Sequence, residues 1–203
     1  MTVEDIILQK GRRGMDLLRP LLPEDFCRAA ARRLYALPRG RVLLLTGFYV
    51  AGHPESDGPA GTLCLARALA ALGFAPLILA DDHCRGLFEE MECRLFPAGP
   101  VDAEALLDEL SPVGVLSLER CGRNAAGDYT NMRGRSIAAH TAALDSLLPA
   151  ARARGIFTLG VGDGGNEAGM GALAGAIREK LCLEPSVVEA DALVLATVSN
   201  WGG

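Results

Sequence analysis

Short, nearly continuous apolar runs recur along this chain, and helix-patterned segments separate them. The runs are Val42–Thr46, Phe74–Ala80, Cys93–Phe96, Val113–Leu118, Ile156–Val161 and Ala192–Val198. A strand that is apolar at almost every position has no face to give to water, so both of its faces must be covered. Helices expected over 62–72, 81–91, 102–110, 136–154 and 169–181 supply that cover. Strand–helix alternation of this length is the pattern of parallel βαβ units. The expected fold is therefore α/β: a three-layer sandwich with a mostly parallel open sheet, Rossmann-like. Pro76 lacks a backbone donor and points to an edge or an irregular start for the second strand.

Residues 1–40 read as an N-terminal helical appendage packed on the core. Thr2 stands before an acidic first turn, and Pro23–Tyr35 has apolar residues at helical spacing. Residues 41–203 read as an α/β catalytic domain. Its last strand is followed by only Ser199–Gly203, so the domain is expected to be truncated at the C-terminus.

Bulk properties narrow the function. With 203 residues and a net charge of −5, the chain is a poor partner for nucleic acid or an acidic membrane. No apolar run reaches the roughly 18–20 residues that a membrane span needs. The acidic N-terminus lacks a signal-peptide pattern. The six cysteines have no zinc-site spacing and read as reduced thiols, which places the protein in the cytoplasm. The expected partner is a small molecule, a carboxylate or a phosphate, with a possible homodimer.

Polar clusters lie immediately after the apolar runs. They are Thr46-Gly-Phe with Glu55-Ser-Asp-Gly, then Glu119-Arg-Cys-Gly-Arg-Asn running on to Arg133, then Asp163-Gly-Gly-Asn-Glu167, then Ser199-Asn200-Trp201. In a parallel sheet all strand carboxyl ends share one rim, where ligands bind. Separation in sequence is then no obstacle to forming one site.

Each cluster also has a plain structural reading. Asp57 with its glycines suits a helix N-cap, but Glu55 and Asp57 together suit an ammonium or a metal. Arg120, Arg123 and Arg133 match the geometry of a carboxylate or phosphate, although any one of them can simply brace a neighbouring acid. Asp163, Asn166 and Glu167 sit among glycines on a tight turn, as hard-cation ligands or as proton carriers. Among the histidines, His53 is a candidate ligand or proton shuttle. His83 reads as a cap and His140 as a packed or surface residue. The glycine run is neither a P-loop nor the dinucleotide fingerprint, and no nucleophile elbow is present.

Several of these motifs stand in a familiar order: Thr46-Gly-Phe, Glu55-Ser-Asp-Gly-Pro-Ala-Gly, Glu119-Arg-Cys-Gly-Arg-Asn, Tyr129-Thr-Asn-Met-Arg-Gly, Gly160-Val-Gly-Asp-Gly-Gly-Asn-Glu and Ser199-Asn-Trp-Gly. Over about residues 41–202 the chain resembles the D-glutamate cyclase C-terminal domain family. The resemblance implies a hydro-lyase that cyclises D-glutamate to 5-oxo-D-proline with loss of water. It carries over no catalytic assignment.

Roles therefore follow from the chemistry. Asp163, Glu167 and Asp57 are the expected catalytic acids and bases. Arg120, Arg123, Arg133, Asn131, Asn166, Thr46 and Asn200 are expected to bind substrate. Glu55, Asp57 and Asp163 are the set that would hold Mg²⁺ or Mn²⁺. The alternatives are a metal-dependent hydrolase or lyase for another small carboxylate or phosphate, and a non-catalytic ligand-binding module.

Overall fold

The computed structural model describes residues 1–9 and 13–197. The N-terminal segment forms α1 (Val3–Ile7), α2 (Met15–Leu18) and α3 (Phe26–Tyr35). The sheet then begins with β1 (Arg41–Leu45), and a small hairpin of β2 (Tyr49–Val50) and β3 (His53–Pro54) follows. Next come α4 (Asp57–Ala71), β4 (Ala75–Asp81), β5 (Cys93–Phe96), α5 (Ala103–Leu110) and β6 (Gly114–Leu118). The chain continues through α6 (Leu147–Ala153), β7 (Phe157–Gly162), α7 (Ala174–Leu181) and β8 (Ala192–Leu195).

Six strands form one sheet in the order β5-β4-β1-β6-β7-β8. Every pairing in it is parallel. This is the three-layer, Rossmann-like α/β arrangement. The chain winds outward from β1 through β4 to β5, then returns beside β1 and winds the other way. The carboxyl ends of β1 and β6 therefore border the point where strand order reverses.

Side chains alternate between the two faces of each strand. Val42 and Leu44 pack with Ala30 and Leu34 of α3 and with Ala66 and Leu69 of α4. Leu43 and Leu45 pack on the other face, with Leu106 and Leu107 of α5 and with Leu147, Leu148 and Ala151 of α6. Spacings of three and four residues put each helix's apolar positions on one stripe. Met15, Leu18 and Phe26 join Met170, Ile177, Leu193 and Leu195 in a third cluster, which fastens the N-terminal helices beside β8. Among the described residues, no helix is long and apolar enough to cross a membrane.

Two expected helices are largely absent. The segment 81–91 opens with the last residue of β4 and one short 3-10 turn, Asp82–Cys84. Gly86 at φ 86° breaks any continuation. The segment 136–154 becomes 3-10 turns at Ala138–His140 and Leu144–Ser146, with α helix only from Leu147. Between those turns the backbone is drawn elsewhere: the Ala142 amide donates to Asp81 and the Ala143 amide to the Gly99 carbonyl. Pro149 is tolerated in the first turn of α6, where its missing donor costs nothing.

Smaller shifts occur elsewhere. Helix α4 starts at Asp57, earlier than the expected 62. The 169–181 helix is a 3-10 turn, Gly171–Leu173, followed by α7. Pro76 lies at the open start of β4, before β5 begins to pair at Ile78.

Candidate active site

Loops from the carboxyl ends of β1, β6 and β7 meet at the reversal point. Helix α4 begins there, and Gly58 lets it approach closely. A Cβ on Gly58 would stand 2.7 Å from Thr46 Oγ1 and 3.0 Å from the Leu118 carbonyl. Behind the site, Gly160 and Gly169 bring two backbones together; a Cβ on Gly160 would stand 2.7 Å from the Gly169 Cα. The loop after β7 is then stitched to the loop after β6: the Gly122 amide donates to the Asn166 carbonyl, and the Ala168 amide to the Arg120 carbonyl.

These contacts assemble a buried acidic centre. Glu119, Asp163 and Glu167 are each at most 5% exposed. One ligand oxygen from each lies within 4.8 Å of the others. Glu119 holds φ at +47°, a left-handed conformation that a non-glycine residue adopts at a cost. Its position just past β6 turns its carboxyl toward the other two. Glu167 Oε2 accepts from the amides of Gly164 and Gly165 at 3.2 and 2.7 Å.

Such crowding cannot leave every group ionised. Burial raises Glu119 well above the usual carboxylate range, and the charges of Glu167 and Asp163 add to the effect. Burial, then the Asp163 charge, pushes Glu167 to about 7 against the pull of the loop amides. Burial also raises Asp163, although Arg13 opposes it. Glu55 reaches about 7 through burial and the charges of Asp57 and Asp163.

A cavity of about 440 Å³ opens onto this centre. Its acidic wall carries Glu55 and Glu167, and its basic wall carries Arg13, Arg133 and Arg135. Phe48, just before the β2–β3 hairpin, and Val50 and Ala51 within it close one side. Tyr49 pins that hairpin, stacked on His140 at 3.8 Å and edge-on to His83 at 5.6 Å. The two histidines thus brace the site's wall, while His53 is exposed in β3 and does not line the cavity.

Asn166 lies on the cavity wall. Its Nδ2 donates to the Thr130 carbonyl at 2.7 Å, which fixes the amide's orientation. Its Oδ1 is buried with no hydrogen-bond partner. Asn131 also lines the cavity, but its side-chain oxygen accepts from the amides of Arg133 and Arg135 and so shapes the turn.

Other expected site residues stand elsewhere. Arg120 is fully buried and does not face the cavity. Its guanidinium forms a two-pronged pair with Asp81 at 2.7 and 3.0 Å, and donates to the carbonyls of Thr46, Gly47 and Ala142. A buried cation needs such a set of acceptors; both terminal nitrogens are committed to them, and only the buried Nε–H is left without a partner. Arg123 turns to Asp145, Nε to Oδ2 at 3.6 Å, away from the cavity. Thr46 is buried between the ends of β1 and α4, with its hydroxyl unpartnered. Asp57 is the first residue of α4 behind Glu55, and its N-cap is Ser56. Asn200 lies outside the described residues, as do Ser199 and Trp201.

The set able to share one ion also differs from the expected one. Among the described residues it is Glu119, Asp163 and Glu167; Glu55 and Asp57 are not part of it. Three buried carboxylates are an oxygen donor set suited to Mg²⁺ or Mn²⁺, and an ion would relieve their repulsion. In sequence Glu119 heads a polar cluster without a role of its own, and Arg135 and Arg13 are not singled out. Glu119 follows a strand as Asp163 does, so its place was a usable signal. Arg13 sits in the N-terminal segment, where no motif marks it.

The fold and rim site define an α/β protein with a small-molecule pocket lined by acids on one wall and guanidinium groups on the other. The family described as D-glutamate cyclase-like, C-terminal, matches residues 3–203, and the chain belongs to it. That match takes in the N-terminal helices and Arg13. The chain is also similar to human mitochondrial D-glutamate cyclase, 32% identical over 225 residues that cover 97% of this chain. It spans only 36% of the length of that relative.

Proposed function

We propose that this protein is a hydro-lyase that cyclises D-glutamate to 5-oxo-D-proline with release of water. One observation carries the reading: the cavity joins two carboxyls that titrate near neutrality, Glu55 and Glu167, to three guanidinium groups. An amino dicarboxylic acid is the complementary ligand, with an ammonium for the acids and carboxylates for the arginines. The choice of glutamate and of its D form rests on the family and on the human relative.

The proton balance explains why carboxyls near neutrality are useful. The substrate nitrogen attacks the γ-carboxyl carbon, a C–N bond forms and a C–O bond breaks. The ammonium gives up two protons, and both finish on the oxygen that leaves as water. A group that takes a proton and returns it must hold either state at working pH. Glu55 lines the cavity, is not one of the three carboxylates able to share an ion, and is assigned this role. Burial, then the charge of Asp57, holds the Glu55 pKa up. Asn166 Oδ1 is an acceptor for the amine's N–H. Folding the substrate so that nitrogen meets carbon supplies much of the rate gain.

Glu119, Asp163 and Glu167 would hold a Mg²⁺ or Mn²⁺ ion. Such an ion would draw charge from the γ-carboxyl as that group is attacked. The protein is assigned a small-molecule carboxylate partner, without nucleic acid or membrane, and a cytoplasmic location.

The test is chromatographic. Purified protein is incubated with D- or L-glutamate, and 5-oxoproline is resolved by chirality. Wild type should form 5-oxo-D-proline, and Glu55→Gln and Glu167→Gln should reduce its rate at least about 100-fold. An inactive wild type at every metal and pH tried would remove the reading.

A further inference from the structure

The basic wall of the cavity is built differently from the rest of the site. Arg133 and Arg135 project from one tight turn, 131–135. The Asn131 amide donates to the Arg135 carbonyl at 3.0 Å, and the Gly134 amide to the Asn131 carbonyl at 2.9 Å. Asn131 Oδ1 accepts from the Arg133 and Arg135 amides at 2.9 and 3.1 Å. A small turn with its polar groups mutually satisfied fixes where both side chains leave the backbone.

The pairing pattern separates these arginines from the others near the site. Arg120 is committed to Asp81, Arg123 to Asp145 and Arg13 to Asp163. Among the described residues, neither Arg133 nor Arg135 has a side-chain ion pair or hydrogen bond. Both are exposed, and both line the cavity. Arg133 also lines an adjoining cavity of about 310 Å³, together with Asn166. An unpaired guanidinium thus shares both cavities with Asn166, whose Oδ1 is a buried acceptor without a partner.

We propose that the 131–135 turn is a specificity clamp: Arg133 and Arg135 hold the carboxylate that does not react, the one next to the amine. The inference deepens the cyclase reading and rests on it for the identity of the substrate. An α-amino acid carries its ammonium and α-carboxylate on one carbon. Placing that carboxylate on the clamp leaves the amine and the γ-carboxyl, the two groups that must react, on the side of the cavity lined by Asn166, Glu55 and Glu167. The clamp thus chooses which end of an amino dicarboxylic acid is presented to the acids. It also selects against ligands that lack a free α-carboxylate.

The discriminating ligand is the α-amide of D-glutamate. It keeps the amine and the γ-carboxyl, so cyclisation remains open to it, but it loses the α-charge. Binding of both compounds is measured by calorimetry and turnover by chromatography, for wild type, Arg133→Gln/Arg135→Gln and Arg133→Lys/Arg135→Lys. Wild type should prefer D-glutamate over its α-amide by about tenfold or more. The glutamine pair should lose that preference while still binding the α-amide, which shows that the site is folded. Its loss should fall mainly on KM, and the lysine pair should recover part of it. A preference that survives in the glutamine pair, or that wild type lacks, overturns the clamp. Wild type that binds D-glutamate with this preference but forms no 5-oxoproline leaves the clamp standing and overturns the reaction assigned to the site.

Discussion

Arg13 Nη1 lies 2.5 Å from Asp163 Oδ1 and joins residues 150 positions apart. The pair ties the N-terminal segment to the loop after β7. It brings a guanidinium to a centre that otherwise gathers Glu55, Asp57, Glu119, Asp163 and Glu167. The Arg13 charge lowers the pKa of both Asp163 and Glu55 against the effect of burial.

Arg13→Met should therefore lower kcat/KM by about 10- to 100-fold, the range for one lost charge-assisted hydrogen bond of about 1.5–3 kcal/mol. Removing a cation raises a neighbouring carboxyl's pKa, so the acid limb of the pH–rate profile should move to higher pH. A variant with a reduced rate but an unmoved acid limb would show that Arg13 does not act on the titrating carboxyls.

Glu55 makes a linked prediction about stability. Its folded pKa, about 7, lies above the ordinary 4.5, so the native state binds more protons than the unfolded state between those values. Stability then falls as pH rises through that window. Glu55→Gln removes the buried charge and should raise Tm relative to wild type at pH 8, with little change at pH 4.5. The same substitution should abolish the acid limb of activity. Thermal melts at the two pH values check the first claim; equal shifts at both would contradict it.

Arg120 should matter to folding. Asp81→Ala strands a fully buried guanidinium and should cost about 3–5 kcal/mol. Urea titration followed by circular dichroism measures this directly. Any remaining folded Asp81→Ala protein should keep its KM, because Arg120 does not line the cavity. A variant of wild-type stability with a raised KM would instead return Arg120 to substrate binding.

The acid triad predicts a metal response that can be read without turnover. At about 100 times its Kd, Mn²⁺ should stabilise the protein by about 2.7 kcal/mol, or about 5–10 °C in Tm. Glu119→Gln should remove most of that shift. A full shift in Glu119→Gln would place the ion elsewhere, and no shift in wild type would take metal out of the mechanism.

The expected strands agree closely with the structure. Cys93–Phe96 matches its expected bounds, β1, β4, β6 and β7 differ by about a residue at their ends, and β8 stops at Leu195 where the apolar run continues to Val198. Strands buried on both faces are apolar throughout, so their pattern is unmistakable. Helices were less legible where a distant group claimed the backbone. Asp81 takes up the Ala142 amide and the Arg120 guanidinium together, and the segment around 142 is extended as a result. Nothing within 136–154 announces a demand that arises 61 residues away.

The order of apolar runs and the polar residues after them determined the sheet, its parallel sense and the rim on which a site would form. These depend on local periodicity and on the burial that it demands. Pairing between distant charges was settled only in three dimensions. Arg120 and Arg133 look alike in sequence, yet one is sealed beneath the site and the other lines it. A guanidinium's role is set by which acceptors the fold brings within reach, and those come from segments far apart in the chain.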